Sequence, residues 1–179
     1  MIRTNWLNIK TGLQKYEKIM ELFQSVDVSV DEEFQRTFNG FYRVRRRKPD
    51  FYAALYSFLE SHKNKKITFA EVLQYFYDWF GRLEASFSSK VVATIDPNMP
   101  IWDSEVLKRL HLKPAKYSLS PQERLEATCK IYETIQSWYK TYLTMPEAHN
   151  MIAQFNEHIG KTNITPTKKI DFILWQTRE

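Results

Sequence analysis

The chain has 179 residues, a net charge of +5 and a pI near 9.2, with 43% hydrophobic and 15% aromatic residues. A chain of that length buries about two-thirds of its unfolded surface, and the apolar content excludes a disordered protein. Four glycines are too few for sandwiches, barrels or nucleotide-binding folds that need several permissive backbone positions.

Helix signals recur along the chain and strand alternation is nearly absent. Leu13, Tyr16, Ile19, Met20 and Phe23 repeat at three- and four-residue steps, which predicts a helix from about Thr11 to Ser25, weakened slightly by Gly12. A short helix from Val30 or Asp31 to Thr37 follows, and Asn39-Gly40 reads as a turn. Pro49 suits the first turn of the next helix, whose stripe is Phe51, Leu55, Phe58 and Leu59. Thr68 and Glu71 form a capping box, as do Ser120 and Glu123 with Pro121 at the first helical position. The helix opened by Ser120 should reach about Leu143. Pro146 and Glu147 start another that Gly160 stops, and Thr165-Pro166 start the last one. The expectation is an all-α fold, a single helical domain over residues 1–179, with no internal repeat or long linker.

The single cysteine, Cys129, cannot close an internal disulfide, which points to a cytoplasmic setting. No stretch approaches the ~18–20 apolar residues of a membrane span, and charged and amide residues interrupt the N-terminus where a secretory signal would be apolar. No membrane partner is therefore expected. His62, His111, His149 and His158 show no paired ligand spacing, so neither a metal nor a cofactor is expected.

The most basic stretch runs from Arg36 through Arg43, Arg45, Arg46, Arg47 and Lys48, with no acid between Phe34 and Pro49. Neutralising several phosphates releases counterions, so such a segment gives salt-sensitive, sequence-independent affinity for DNA or RNA. Lys63, Lys65, Lys66, Lys108, Arg109 and Lys113 add to it. Phe41 and Tyr42 are candidates to stack on an exposed base. The string Tyr75, Phe76, Tyr77, Trp79 and Phe80 reads mostly as core, and Phe172, Ile173 and Trp175 as the docking face of the last helix.

The segment SSKVVATIDPNMPIWDSEV, residues 88–106, carries the chemistry. Lys90 stands at the start of an apolar helix whose cap is Ser86, Ser88 or Ser89. Pro97 and Pro100 end it, and Asp103 opens the next helix. Two readings stay open here. Asp103 is an N-cap and Lys90 a solvated side chain, or the two face one cleft as nucleophile and carboxylate, walled by Trp102.

The order of lysine-bearing helix, proline loop and helix-capping aspartate resembles the helix-hairpin-helix superfamily of DNA glycosylases, in particular the branch related to 8-oxoguanine glycosylases. "SSKVVATI" matches the lysine-bearing helix and "MPIWDSEV" the proline-to-aspartate element. The resemblance implies an all-helical fold and a base-excision N-glycosylase or lyase acting on a modified or damaged base, with Lys90 as nucleophile and Asp103 as the catalytic carboxylate. It further implies DNA as the partner, held by Arg43, Arg45, Arg46, Arg47 and Lys48. In place of the family's glycine-rich hairpin stands GRLEASFSSK, where Ser88 and Ser89 are the expected phosphate donors. No iron–sulfur cysteine set is present, which excludes the cluster-bearing branch. The alternatives are a non-catalytic nucleic-acid-binding module with the same fold, or a helical protein-interaction domain whose basic loop meets an acidic partner.

Overall fold

The computed structural model describes residues 5–176, whose backbone forms nine α-helices and no strand. Residues 1–4 and 177–179, which complete the expected domain and N-terminus, lie outside the described residues. None of the described helices is long and apolar enough to cross a membrane.

Helix α1 spans Trp6–Ser25 and starts earlier than its apolar periodicity suggests, because the Asn5 side chain accepts from the Asn8 N–H. Gly12 has a packing role: a Cβ there would lie 3.2 Å from the Phe172 ring, so the missing side chain lets α1 approach the last helix closely. Helix α2 spans Glu32–Tyr42, capped by Asp31. It runs straight through Asn39-Gly40, against the turn expected there. Gly40 meets nothing within 4 Å of a built Cβ, so it costs only the ~1 kcal/mol of a solvent-facing helical glycine. Phe38 and Tyr42, both buried, hold the last turn in place. The chain reverses at Arg43, which takes the left-handed conformation (φ 55°) and donates its N–H to the Asn39 carbonyl.

Helix α3 (Pro49–Ser61) carries Pro49 in its first turn, and α4 (Phe69–Phe80) has the full Thr68–Glu71 capping box. Helix α4 stops at Gly81, whose φ of +63° suits a residue without Cβ. Helix α5 (Ala85–Ile95) begins after Glu84, so Ser86, Ser88 and Ser89 lie inside it and none caps it. Helix α6 is the short Ser104–Arg109, and α7 (Pro121–Tyr142) opens with the Ser120–Glu123 box. Helices α8 (Pro146–Ile159) and α9 (Pro166–Gln176) close the described chain.

The main core gathers α1 to α7 around Phe23, Phe34, Phe38, Phe51, Phe76 and Tyr132, and α9 reaches it through Ile170 and Leu174. A second cluster joins Ile9, Leu13 and Tyr16 of α1 to Phe155 of α8 and Phe172 and Ile173 of α9. Residues 167–174 of α9 are all buried, so this helix lies inside the molecule. It brings in an ion pair that the sequence reading did not single out. Lys168 Nζ donates to Asp171 Oδ2 at 2.7 Å with both side chains at 0% exposure, and the Tyr139 hydroxyl donates to Asp171 Oδ1 at 2.6 Å. The Lys168 ammonium also lies 5.6 Å from the Tyr16 ring centroid and 5.8 Å from that of Trp175.

Candidate nucleophile site and basic loop

Helix α5 carries Lys90, and the loop to α6 carries Asp103. Local sequence dictates both ends of that loop. Pro97 and Pro100 cannot continue α5, and Asp103 Oδ1 accepts the Glu105 N–H at 2.8 Å, which caps α6. Three contacts from distant parts of the chain pin the middle. Ser89 Oγ accepts the Trp102 N–H at 2.9 Å and donates to the Ser86 carbonyl, Tyr132 donates to the Pro100 carbonyl at 2.8 Å, and Thr165 donates to the Pro97 carbonyl at 2.7 Å. The lysine helix and the aspartate cap are thereby held in a fixed relation.

Lys90 is half-buried. Its amine donates to the Tyr42 carbonyl at 3.0 Å and lies 4.8 Å from the Phe87 ring centroid. Burial lowers its pKa from 10.5 to about 8, with Arg43 and Arg47 pushing the same way, while Asp103 and then Glu84 favour the charged amine. Asp103 also acts on the buried cluster behind it: Asp171 is raised first by burial and further by Asp103, and Tyr139 is raised well above the ordinary tyrosine range, chiefly by burial. A lysine lowered in this way holds a larger neutral fraction near physiological pH than an ordinary lysine, and the neutral amine is the form that covalent attack needs.

The other expected site residues divide. Arg43, Arg45, Arg46 and Lys48 are exposed, with Arg43 and Arg46 both left-handed (φ 55° and 57°). Arg47 differs from its neighbours and is not a free phosphate ligand. Its guanidinium makes a two-pronged pair with Glu84 (2.8 and 2.9 Å) and lies 4.8 Å and 4.7 Å from the Phe51 and Phe87 ring centroids. It anchors the basic loop to α3 and α5 and leaves the other cations facing outward.

Ser88 and Ser89 cannot meet a phosphate, since both are at 0% exposure. Ser89 is the clamp to Trp102, and the enclosed Ser88 hydroxyl has no hydrogen-bond partner. The expected pocket residues are likewise spent on packing. Trp102 is 7% exposed and stacks in parallel with Phe69 at 6.2 Å, and Tyr42 is 4% exposed with its hydroxyl beside Thr94 in no regular hydrogen-bond geometry. Phe41 packs on Tyr16, Phe172 and Trp175. Apolar surface next to a helix cap was the right signal, but the core uses it.

Two cavities are open elsewhere. A groove of about 810 Å³ runs along α3 and α4 past Phe58, His62, Glu71, Tyr75 and Asp78, and a pocket of about 350 Å³ lies between Tyr16, Pro97 and Thr165. Neither is lined by Lys90 or Asp103. The aromatic string on α4, expected mostly in the core, is divided. Phe76 is fully buried, whereas Trp79 is 63% exposed.

Fold and site together define a class no finer than this: an all-α protein with a half-buried lysine on the Tyr42 carbonyl, a helix-capping aspartate and a loop of exposed arginines. No family model matches the chain, and neither a curated protein nor a solved structure matches it.

Proposed function

We propose that the protein binds DNA through the Arg43–Lys48 loop and uses Lys90 for base-excision chemistry of the N-glycosylase and lyase type on a modified or damaged base. The observation that carries this reading is the Lys90 amine. It is half-buried, held by the Tyr42 carbonyl at the base of the basic loop, shifted to about 8, and acted on electrostatically by Asp103. The order of its elements also resembles helix-hairpin-helix glycosylases.

In the reaction the target nucleotide leaves the stack so that its sugar reaches the amine. The neutral amine forms a bond to the sugar C1′, and the glycosidic bond breaks with its electron pair leaving on the base, which takes up a proton. Positive charge developing on the sugar is stabilised by the Asp103 carboxylate. The sugar ring then opens at C1′–O4′, O4′ is protonated, and the nitrogen loses a proton to leave an iminium, the species that borohydride reduces to a stable amine.

The test is borohydride trapping on duplexes carrying abasic, oxidised, alkylated or deaminated sites, read as a protein–DNA adduct by mass. Wild-type protein should trap and Lys90→Ala should not. Trapping unchanged in Lys90→Ala removes this lysine from the reaction.

A second reading, a non-catalytic nucleic-acid-binding module, is favoured by one observation: Trp102 and Tyr42, the rings expected to receive an everted base, are packed into the core. It predicts salt-dependent binding without base release, and binding that tolerates Asp103→Asn.

A further inference from the structure

A single exposed apolar side chain is commonplace on a protein surface, and Trp79 would need no comment if it stood alone. It does not. Its ring lies 6.4 Å from Phe80, Phe80 lies 5.3 Å from Phe51, Phe51 lies 5.4 Å from Phe87, and Phe87 lies 4.8 Å from the Lys90 amine. An unbroken row of rings thus runs from a solvent-facing indole to the candidate nucleophile.

The basic loop is fastened to the middle of that row, because Arg47 sits over Phe51 and Phe87 while it grips Glu84. Arg43, Arg45, Arg46 and Lys48 are therefore presented beside the row, and exposed Arg82 follows Trp79 directly after the Gly81 turn. The acids nearby are few. Glu84 is paired, Asp50 lies in the first turn of α3, and Asp78 accepts from Gln74 and lines the groove along α3 and α4.

We propose that Trp79 is a stacking platform for an unpaired nucleotide, at the outer end of an aromatic row whose flanking cations hold the adjoining phosphates. The proposal rests on the nucleic-acid reading above and specifies its ligand: single-stranded or locally unpaired nucleic acid in preference to continuous duplex. Every base offers a π face, so an indole at such a place binds without reading sequence, and its contribution is lost wherever bases remain paired and stacked on each other.

The experiment is fluorescence anisotropy at low salt with labelled single strands, a bulged duplex and a fully paired duplex. The proteins compared are wild type, Trp79→Ala, Trp79→Phe and Tyr117→Ala, the last removing an aromatic ring 89% exposed on a different loop. Trp79→Ala should weaken single-strand and bulge binding by about fivefold to a hundredfold and leave the paired duplex unchanged. Trp79→Phe should retain part of the affinity, and Tyr117→Ala should match wild type. Equal weakening on all three ligands, or no weakening on single strands, overturns the platform. Absence of any binding by wild type overturns it too, together with the DNA partner. Intact binding with a Trp79 effect but no borohydride adduct removes only the lysine chemistry.

Discussion

Replacing Lys90 with methionine should make the protein more stable at neutral pH, by an amount that depends on pH in a way only this amine can produce. Its proton affinity falls from 10.5 in the unfolded chain to about 8 in the fold. Below both values the lysine is charged in both states, and the folded protein carries a penalty of about 3 kcal/mol for holding that charge out of water. Between the two values the unfolded chain binds the extra proton, so stability from this group rises with pH. The penalty falls to about 1 kcal/mol near pH 9.5 and vanishes above pH 10.5. Methionine keeps the packing against Phe87 but leaves the Tyr42 carbonyl without its donor, a loss of about 1 kcal/mol. The net gain is therefore about 2 kcal/mol at pH 7, shrinking to nothing near pH 9.5. Urea denaturation of both proteins at several pH values reads the difference, in which all other titrating groups cancel. A Lys90→Met protein destabilised at pH 7, or one whose gain is constant across that range, refutes the placement of this lysine.

Asp103→Asn should lower the Lys90 midpoint below about 8, since the carboxylate favours the charged amine, and an NMR titration of the lysine side-chain signal reads it. Asparagine still caps α6, so the helix start holds, whereas Asp103→Ala also loses the cap, about 1 kcal/mol more. Arg47→Ala should cost about 2 kcal/mol, because it strips a two-pronged partner from Glu84; in the same chemical denaturation Arg45→Ala should change little. On DNA the order reverses: Arg45→Ala and Arg46→Ala each lower the salt slope of binding by about one, and Arg47→Ala acts only through the shape of the loop. Lys168→Met strands Asp171 in the core and should cost about 3–5 kcal/mol in thermal or urea unfolding, most of it recovered when Asp171→Leu is added. Failure of the second substitution to rescue the first would show that the pair is not acting as a pair.

What could be read from the chain beforehand was what local chemistry decides. Capping boxes at Thr68 and Ser120, prolines at first helical turns and the Asp103 cap each depend on side chains within four residues, and they fixed most helix starts. Asn39-Gly40 misled because a turn dipeptide costs little in an exposed helix whose neighbours Phe38 and Tyr42 are buried. The roles that escaped all depend on partners far along the chain. Arg47 is indistinguishable from Arg45 and Arg46 until Glu84, 37 residues away, comes to meet it. Ser89 reads as a surface donor until it receives the Trp102 amide. Lys168 and Asp171 stand three apart, like any exposed helical ion pair; only the apolar residues that follow, Phe172 to Leu174, hint that this face turns inward.

The burial of α9 bears on how the protein is made. A chain that leaves the ribosome N-terminus first has α1 available well before residues 166–176 emerge, yet Ile9, Leu13 and Tyr16 share their cluster with Phe172 and Ile173 of that late helix. Until it arrives, those side chains face water or one another, and the hydroxyl of Tyr139 has no acid to meet. Translation therefore passes through a stage in which a long stretch of apolar surface waits for its cover, and a chaperone that shields such surface should be engaged latest on this protein, not earliest.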